Sequence, residues 1–485
     1  MSLSFVKIAL AALLIVPLSA MPQSLPDLGD VSDATLSEPQ ERSIGKRIMF
    51  DVRNDSMYVD DTELTDYLNE LGNRLVMGSQ SARREFEFFL LQDDSINAFA
   101  LVGGFIGVHT GLILASQNES ELAGVLGHEI AHVLQRHQAR GMAGQKGSAI
   151  ASLAALAVAI LAARGNSSSQ VPEAAIATAS AIGIQGQLDY SREFEREADR
   201  MGLSNMERAG FDPRGMVSFF ERLQRATRYS DGKAPGYLRS HPLTTERIAD
   251  MQNRVDSMPV RRVADSSDYQ FAYAKLRAAS DSASEAVEYY RNAIAEKTIL
   301  RSRADVYGLV LALRRNREFA AAEKELASLR GTASPSAWVE HLAADLKSDQ
   351  RKYGEALAIY RSALKAFPSN RALFYGQVET LFEMGQADAA LSAVTERLRD
   401  VQDDPRLFDL QARGYSLKGK NLAQHRATAE SYYRRGNVIG AAQQLELGIK
   451  AKDGNFYELS GAEARLREFK AEIITSKLKD EKRDR

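Results

Sequence analysis

The sequence predicts a mainly α-helical chain: an N-terminal α+β domain with a small β-sheet, then a C-terminal all-α solenoid. Three observations carry this. Apolar residues recur at the helical period of 3.6, first at Ile44, Ile48, Met49 and Val52, then at Leu64, Tyr67, Leu68, Leu71 and Leu75. The run Glu85 to Gln92, dense in Phe and Leu, is too short for a helix and reads as a buried strand; two more strands, around 97–102 and 105–109, turn at Gly103-Gly104. From about residue 268 the texture becomes helical pairs, with Ala322, Ala356 and Ala390 spaced 34 apart, each opening a second helix.

At 485 residues the chain is too long for one ordinary core. Its patterning divides it into residues 1–20, 21–37, 38–260 and 268–485, with a break at 257–267 around Pro259. Lys7, the apolar run Ile8 to Val16 and Pro17-Leu18-Ser19-Ala20 have the order of a secretory signal peptide cleaved near Ala20. The run falls short of the ~20 residues that span a bilayer. An uncleaved anchor is the alternative, and either way the mature chain works outside the cytoplasm. Residues 21–37, with Pro22, Pro26 and Gly29, are an extended lead-in. Charge is balanced, 62 basic against 64 acidic residues, which excludes a nucleic-acid footprint. The absence of cysteine excludes disulfides, a thiolate metal site and a lipid-anchored start.

The chemistry is concentrated in Leu126 to Leu134, where His128, Glu129 and His132 form an H-E-x-x-H pattern. Asn118 is a good N-cap, Glu121 stands three residues on, and Arg136, His137 and Arg140 load the C-terminal end before Gly141, so the pattern lies mid-helix. Residues four apart stack on one face, so both imidazoles can reach one metal, with Glu129 beside them to hold a water. Zinc lowers the pKa of a bound water to roughly 7 and polarises the carbonyl under attack, while the carboxylate moves protons. That is the chemistry of peptide-bond hydrolysis. The bland alternative is an amphipathic helix with two surface histidines; against it, three of only seven histidines fall in this helix.

A catalytic zinc, one per chain, needs a third protein ligand. In Ser191 to Asp199 the carboxylates of Glu195 and Asp199 share a helix face at i, i+4, while Glu193 and Glu197 point elsewhere. Glu195 would ligate the metal and Asp199 would orient a ligand histidine through its second ring nitrogen. An acidic solvated face is the alternative.

H-E-x-x-H followed by E-x-x-A-D resembles the gluzincin metallopeptidases of the HtpX and CAAX prenyl protease kind. Asn97 to Val108 is similar to that family's N-A-F-A-x-P-G-G strand pair, with Val102 in place of the proline, and Ser240-His241-Pro242 resembles its S/T-H-P motif. The match covers roughly residues 40 to 255 and implies a zincin metallopeptidase domain over 38–260. It also places His241 near the metal. There His241 could donate to the oxyanion, occupy the open zinc position and hold the enzyme off, or merely pack a helix start. The resemblance further implies that Phe105 to His109, the strand before the active helix, is a sheet edge on which an extended peptide can pair.

Between the two ligand helices lies the insert 141–189. Ser148 to Ala163 is uncharged and apolar on every side, so it is a helix packed over the cleft or a peripheral contact with a membrane surface. Gly165 to Ser169 breaks the chain before helix resumes at Glu173 to Gln187, and a hinge beside an active site implies a lid. Residues 213 to 256 hold helices around His241.

In the solenoid, Tyr360, Ala363 and Pro368 match later places of the tetratricopeptide pattern, and Ala286, Tyr290 and Ala293 make an earlier unit. Gly385 and Gly436 precede Ala390 and Ala441 by five residues, whereas 405–435 is irregular. Such pairs bury their faces against neighbours and leave a concave surface for partners. His341 and His425 read as surface or packing residues, and Lys477 to Arg485 as a solvated end. As a whole the chain resembles periplasmic proteases of outer-membrane assembly. That resemblance implies polypeptide substrates, namely misassembled outer-membrane proteins, and docking of the repeats on the β-barrel assembly machinery. The competing class is a chaperone or assembly adaptor with secondary or silenced proteolysis.

Overall fold

The computed structural model describes residues 37–79, 84–143, 192–228, 236–296, 302–331 and 335–483. The expected signal peptide, nearly all of the lead-in, and the Ser148 to Gln187 part of the insert lie outside the described residues. The first two helices are α1 (Glu38–Arg53) and α2 (Thr62–Met77). Asp61 caps α2 by accepting the Leu64 N–H at 3.0 Å, and the predicted stripe Leu64, Tyr67, Leu68, Leu71 and Leu75 is buried.

The sheet comprises β1 (Glu87–Leu91), β2 (Ala98–Leu101) and β3 (Phe105–His109), in the order β1-β3-β2. β3 runs parallel to β1 and antiparallel to β2. Gly103 and Gly104 make the hairpin at φ 80° and 83°, a left-handed geometry that other residues take only with strain. The expectation that Phe105 to His109 forms the sheet edge is corrected: this strand is central, and β2 carries the free edge. All five β3 residues are buried, and a Cβ on Gly107 would lie 2.5 Å from Phe99. A strand covered on both faces, with no polar alternation, belongs inside a sheet.

Next come α3 (Thr110–Ala115) and α4 (Glu119–Leu134), the latter carrying the H-E-x-x-H pattern. Asn118 caps α4, its side chain accepting the Glu121 N–H at 3.0 Å. The helix is buried almost all round, so it is the central rod of the domain. It stops at Leu134, earlier than the sequence implies. Arg136 takes φ 52°, its guanidinium buried 3.0 Å from Glu41, and His137 and Arg140 belong to a second helix, α5 (His137–Ala143).

Four helices then close the site: α6 (Arg192–Arg208), α7 (Arg214–Arg228), α8 (Gly236–Ser240) and α9 (Thr245–Asp256). α6 crosses α4 at a pair of glycines, where a Cβ on Gly202 would sit 3.1 Å from the His128 nitrogen. That close approach lets side chains of both helices converge.

The C-terminal part is a run of helices, α10 (Ser267–Ser280), α11 (Ala283–Glu296), α12 (Arg303–Arg315), α13 (Phe319–Gly331), α14 (Ala337–Asp349), α15 (Tyr353–Ala366), α16 (Arg371–Glu383), α17 (Ala387–Asp400), α18 (Pro405–Leu417), α19 (Asn421–Arg434), α20 (Val438–Ala451) and α21 (Phe456–Arg483). Ala322, Ala356 and Ala390 are fully buried. Residues 405–435, irregular as a repeat, are the regular pair α18 and α19. Gln424 stands at the fourth residue of α19, where α13, α15, α17 and α20 have alanine, and this hides the period. One apolar cluster runs from α2 through the sheet and α4 to Tyr269, Phe271 and Trp338, so the first repeats share a core with the N-terminal domain. Lys275 lies 2.7 Å from Glu63, and His341 lies 3.1 Å from the same carboxylate. His341 is thus an ion-pair residue between the two parts. No helix among the described residues is long and apolar enough to cross a membrane.

Candidate metal centre

His128 and His132 stand one turn apart on α4, Glu195 projects from α6, and His241 follows α8. All four are buried, and their donor atoms lie within 4.8 Å of one another. His132 Nε2 is 2.9 Å from His128 Nε2, His241 Nδ1 is 3.4 Å from His128 Nε2, and Glu195 Oε1 is 3.0 Å from His241 Nδ1 and 3.4 Å from His132 Nε2. A tetrahedral zinc with bonds of about 2.0–2.2 Å sets its ligand atoms roughly 3.3–3.6 Å apart. The donor set therefore fits such an ion in type, and its spacings of 2.9–3.4 Å lie within about half an ångström of that geometry.

The two rings on α4 are oriented from behind. Asp199 lies one turn after Glu195 on α6, 2.9 Å from His128 Nδ1. A proton shared there leaves the Nε2 lone pair facing the cluster. Arg247 on α9 grips Asp199 through two bonds of 2.8 Å, reaches Glu195 at 2.7 Å and donates to the Pro242 carbonyl at 2.8 Å. Behind His132, His137 Nδ1 is 2.9 Å from His132 Nδ1, and His137 Nε2 is 3.1 Å from Glu197, which also takes Arg140 at 3.1 Å. Phe194 stacks on His137 with centroids 4.4 Å apart.

Sequence reading singled out His128, Glu129, His132, Glu195, Asp199 and His241, and the fold brings all six together. No sequence pattern marks Arg247, Tyr237, whose ring stacks on His241 with centroids 4.7 Å apart, or the His137–Glu197 pair, and the helix period turns Glu197 away from Glu195. The third histidine near the H-E-x-x-H pattern, His137, is the signal that points to the pair. Nothing local marks Arg247 except its place beside Ile248, on the buried stripe of α9.

Electrostatics separates the groups. Burial opposes charge on Glu195, but His241, His128 and His132 hold its carboxyl well below the usual range. Burial also opposes charge on His128, yet Asp199 and Glu195 outweigh it and raise its pKa to about 9. His132 is pushed well down by burial, with the charge on His128 adding to it. Burial raises the pKa of Glu129, whose carboxylate lies 3.5 Å from His241 Nε2. A buried carboxyl whose pKa is raised, beside a cluster of metal-type donors, is suited to moving protons.

The Peptidase family M48 profile matches residues 63–255, across every one of these groups, and a Tetratricopeptide repeat profile matches residues 348–414. The Beta-barrel assembly-enhancing protease of Escherichia coli is 33% identical over 434 residues, 88% of each chain. The chain belongs to this metallopeptidase family. A Putative beta-barrel assembly-enhancing protease of Vibrio cholerae is 42% identical over 258 residues, covering 53% of this chain and 52% of its own. The Mitochondrial metalloendopeptidase OMA1 of Schizosaccharomyces pombe is 30% identical over 198 residues, 41% of this chain and 55% of its own. As an M48 metallopeptidase, the chain is a metal-dependent enzyme, with a repeat part built for contact with other proteins.

Proposed function

We propose that this metallopeptidase is a periplasmic zinc endopeptidase that degrades misassembled outer-membrane proteins and assists their assembly, docking on the β-barrel assembly machinery through its repeats. The buried cluster of three histidines and Glu195 carries the reading. The likeness to the Beta-barrel assembly-enhancing protease of Escherichia coli supports the link to β-barrel assembly, and the signal-like order of residues 1–20 supports export. The proposed division is a signal peptide at 1–20, a lead-in at 21–37, the catalytic domain at 38–260 and the repeats at 268–485, with residues 148–163 as a peripheral membrane contact or part of a lid.

His128, His132 and Glu195 would hold one zinc. When bound, zinc would polarise the scissile carbonyl and acidify a water. Glu129 is the group that would accept a proton from the attacking water and return it to the leaving amine, a role that its raised pKa suits. Asp199 keeps His128 in the tautomer that presents Nε2, with Arg247 fixing Asp199. His241, turned inward through Nδ1, takes the place that an attacking water needs and holds the enzyme off. Zinc analysis of the purified protein, with cleavage of an unfolded outer-membrane protein before and after chelation, tests the reading. About one zinc per chain and chelator-sensitive cleavage are expected; chelator-resistant cleavage overturns it. A silenced protease that helps assembly as an adaptor is the second reading, favoured by the inward turn of His241. It is selected if Glu129→Gln supports outer-membrane assembly as well as the parent.

A further inference from the structure

The free edge of β2 passes beside Glu129, and its backbone groups are already in use. His109 N–H donates to the Asn97 carbonyl at 3.0 Å, and Ala98 and Ala100 pair with Val108 and Ile106. Narrow and wide pairs alternate in an antiparallel ladder, so Asn97, Phe99 and Leu101 bond to β3 while Ile96, Ala98 and Ala100 turn their N–H and C=O groups outward. The outward groups at both ends are taken by the chain itself. Tyr237 N–H donates to the Ile96 carbonyl at 3.1 Å, and Gln138 Nε2 donates to the Ala100 carbonyl at 2.6 Å. Ala98 is fully buried and Ala100 is 8% exposed, so the edge is covered as well as capped.

We propose that Gln138 is a tethered stand-in for the substrate backbone, and that an extended polypeptide must displace its carboxamide from Ala100 to pair with the edge beside Glu129. This rests on the peptidase reading above. A primary amide presents the same N–H donor as a peptide bond, so it fills an acceptor that a substrate strand would fill. A bare Ala100 carbonyl in this buried place would be costly, and Gln138 satisfies it while no substrate is bound. It also blunts an edge that would otherwise invite strand pairing with any extended chain. Gln138 stands on α5, beyond the break at Arg136, so its carboxamide can leave by rotation of its own side chain without moving α4. Its role is to set the threshold for substrate entry.

The test measures binding of a fluorescein-labelled unfolded casein peptide by polarisation, on the zinc-loaded full chain in a Glu129→Gln background that binds without cleaving. Gln138→Ala is expected to bind about tenfold tighter, because one competing hydrogen bond is removed. With Glu129 restored, KM for the same peptide should fall by a similar factor and kcat should stay within about twofold. A copy of the peptide N-methylated at alternate residues should lose the gain, since it cannot form the rungs. Gln138→Glu keeps the length but sets a carboxylate oxygen against the Ala100 carbonyl; it should shift the same way and keeps the test decisive if the alanine variant is unstable. Unchanged or weaker binding by both variants overturns the proposal, as does an equal gain for the N-methylated peptide. If the parent cleaves and the variants match it, only this inference fails. If the variants bind tighter while no zinc-loaded form cleaves, it is the peptidase reading that fails.

Discussion

Glu129 and His241 face each other across 3.5 Å, and the consequences of removing them have opposite signs. Glu129→Gln keeps the shape but cannot take a proton. The variant should retain its zinc, since that binding uses His128, His132 and Glu195, and should lose proteolysis by roughly 10²–10⁴-fold. Metal analysis and cleavage on one sample check this. His241→Ala removes the fourth donor, so basal cleavage should rise several-fold at equal zinc content. Were His241 an oxyanion donor, turnover would instead drop by roughly 10²–10³. At this scale the sequence is most legible where chemistry restricts residue type and spacing: two histidines a turn apart, and two carboxylates a turn apart. Arg247 and the His137–Glu197 pair act through tertiary contacts, and no local pattern carries those.

The relation between elements is where sequence reading loses ground. Periodicity finds β3 as a strand, but its place in the sheet depends on the parallel β1, which joins its other side through a distant segment. The end of α4 differs from the sequence expectation for a related reason: basic residues after Leu134 look like a helix C-terminus, and the turn at Arg136 is fixed by Glu41 from α1. What elements must share is closeness, and the glycines record it. Gly202 lies against the backbone of α4 at Gly127 and His128, so Gly202→Ala would push the two ligand helices apart by a few tenths of an ångström. Overpacking of this kind costs about 1–3 kcal/mol. We expect that loss in a denaturant titration, together with about tenfold weaker zinc binding, because Glu195 moves with α6.

At the scale of the whole molecule, the polar cluster at 257–267 reads as a break between domains, and the packing ties its two sides together. Ser266 caps α10 and bonds Glu119, in the first turn of α4, through its N–H at 3.0 Å and its hydroxyl at 2.7 Å. Tyr269, Phe271 and Trp338 extend the apolar core of the catalytic domain. The halves are also tied by charge. Glu63 on α2 holds Lys275 and His341, and Asp345 lies 3.8 Å from His341 on its other side. Burial alone would lower the pKa of His341, but Glu63 and Asp345 more than offset it and raise the pKa to about 9. A group whose pKa is raised by folding stabilises the fold fully below its unfolded value, about 6.5, and that contribution disappears as pH climbs through the folded value. The protein should therefore lose up to about 3 kcal/mol between roughly pH 6.5 and 9 from this contact. His341→Gln should start less stable at pH 6 and decline much less across the same window. Denaturant midpoints of the zinc-loaded parent and variant at pH 6, 7.5 and 9 read the difference, and with zinc present the histidines of the metal cluster do not compete for protons. Parallel curves would mean that His341 is not charged in the folded protein.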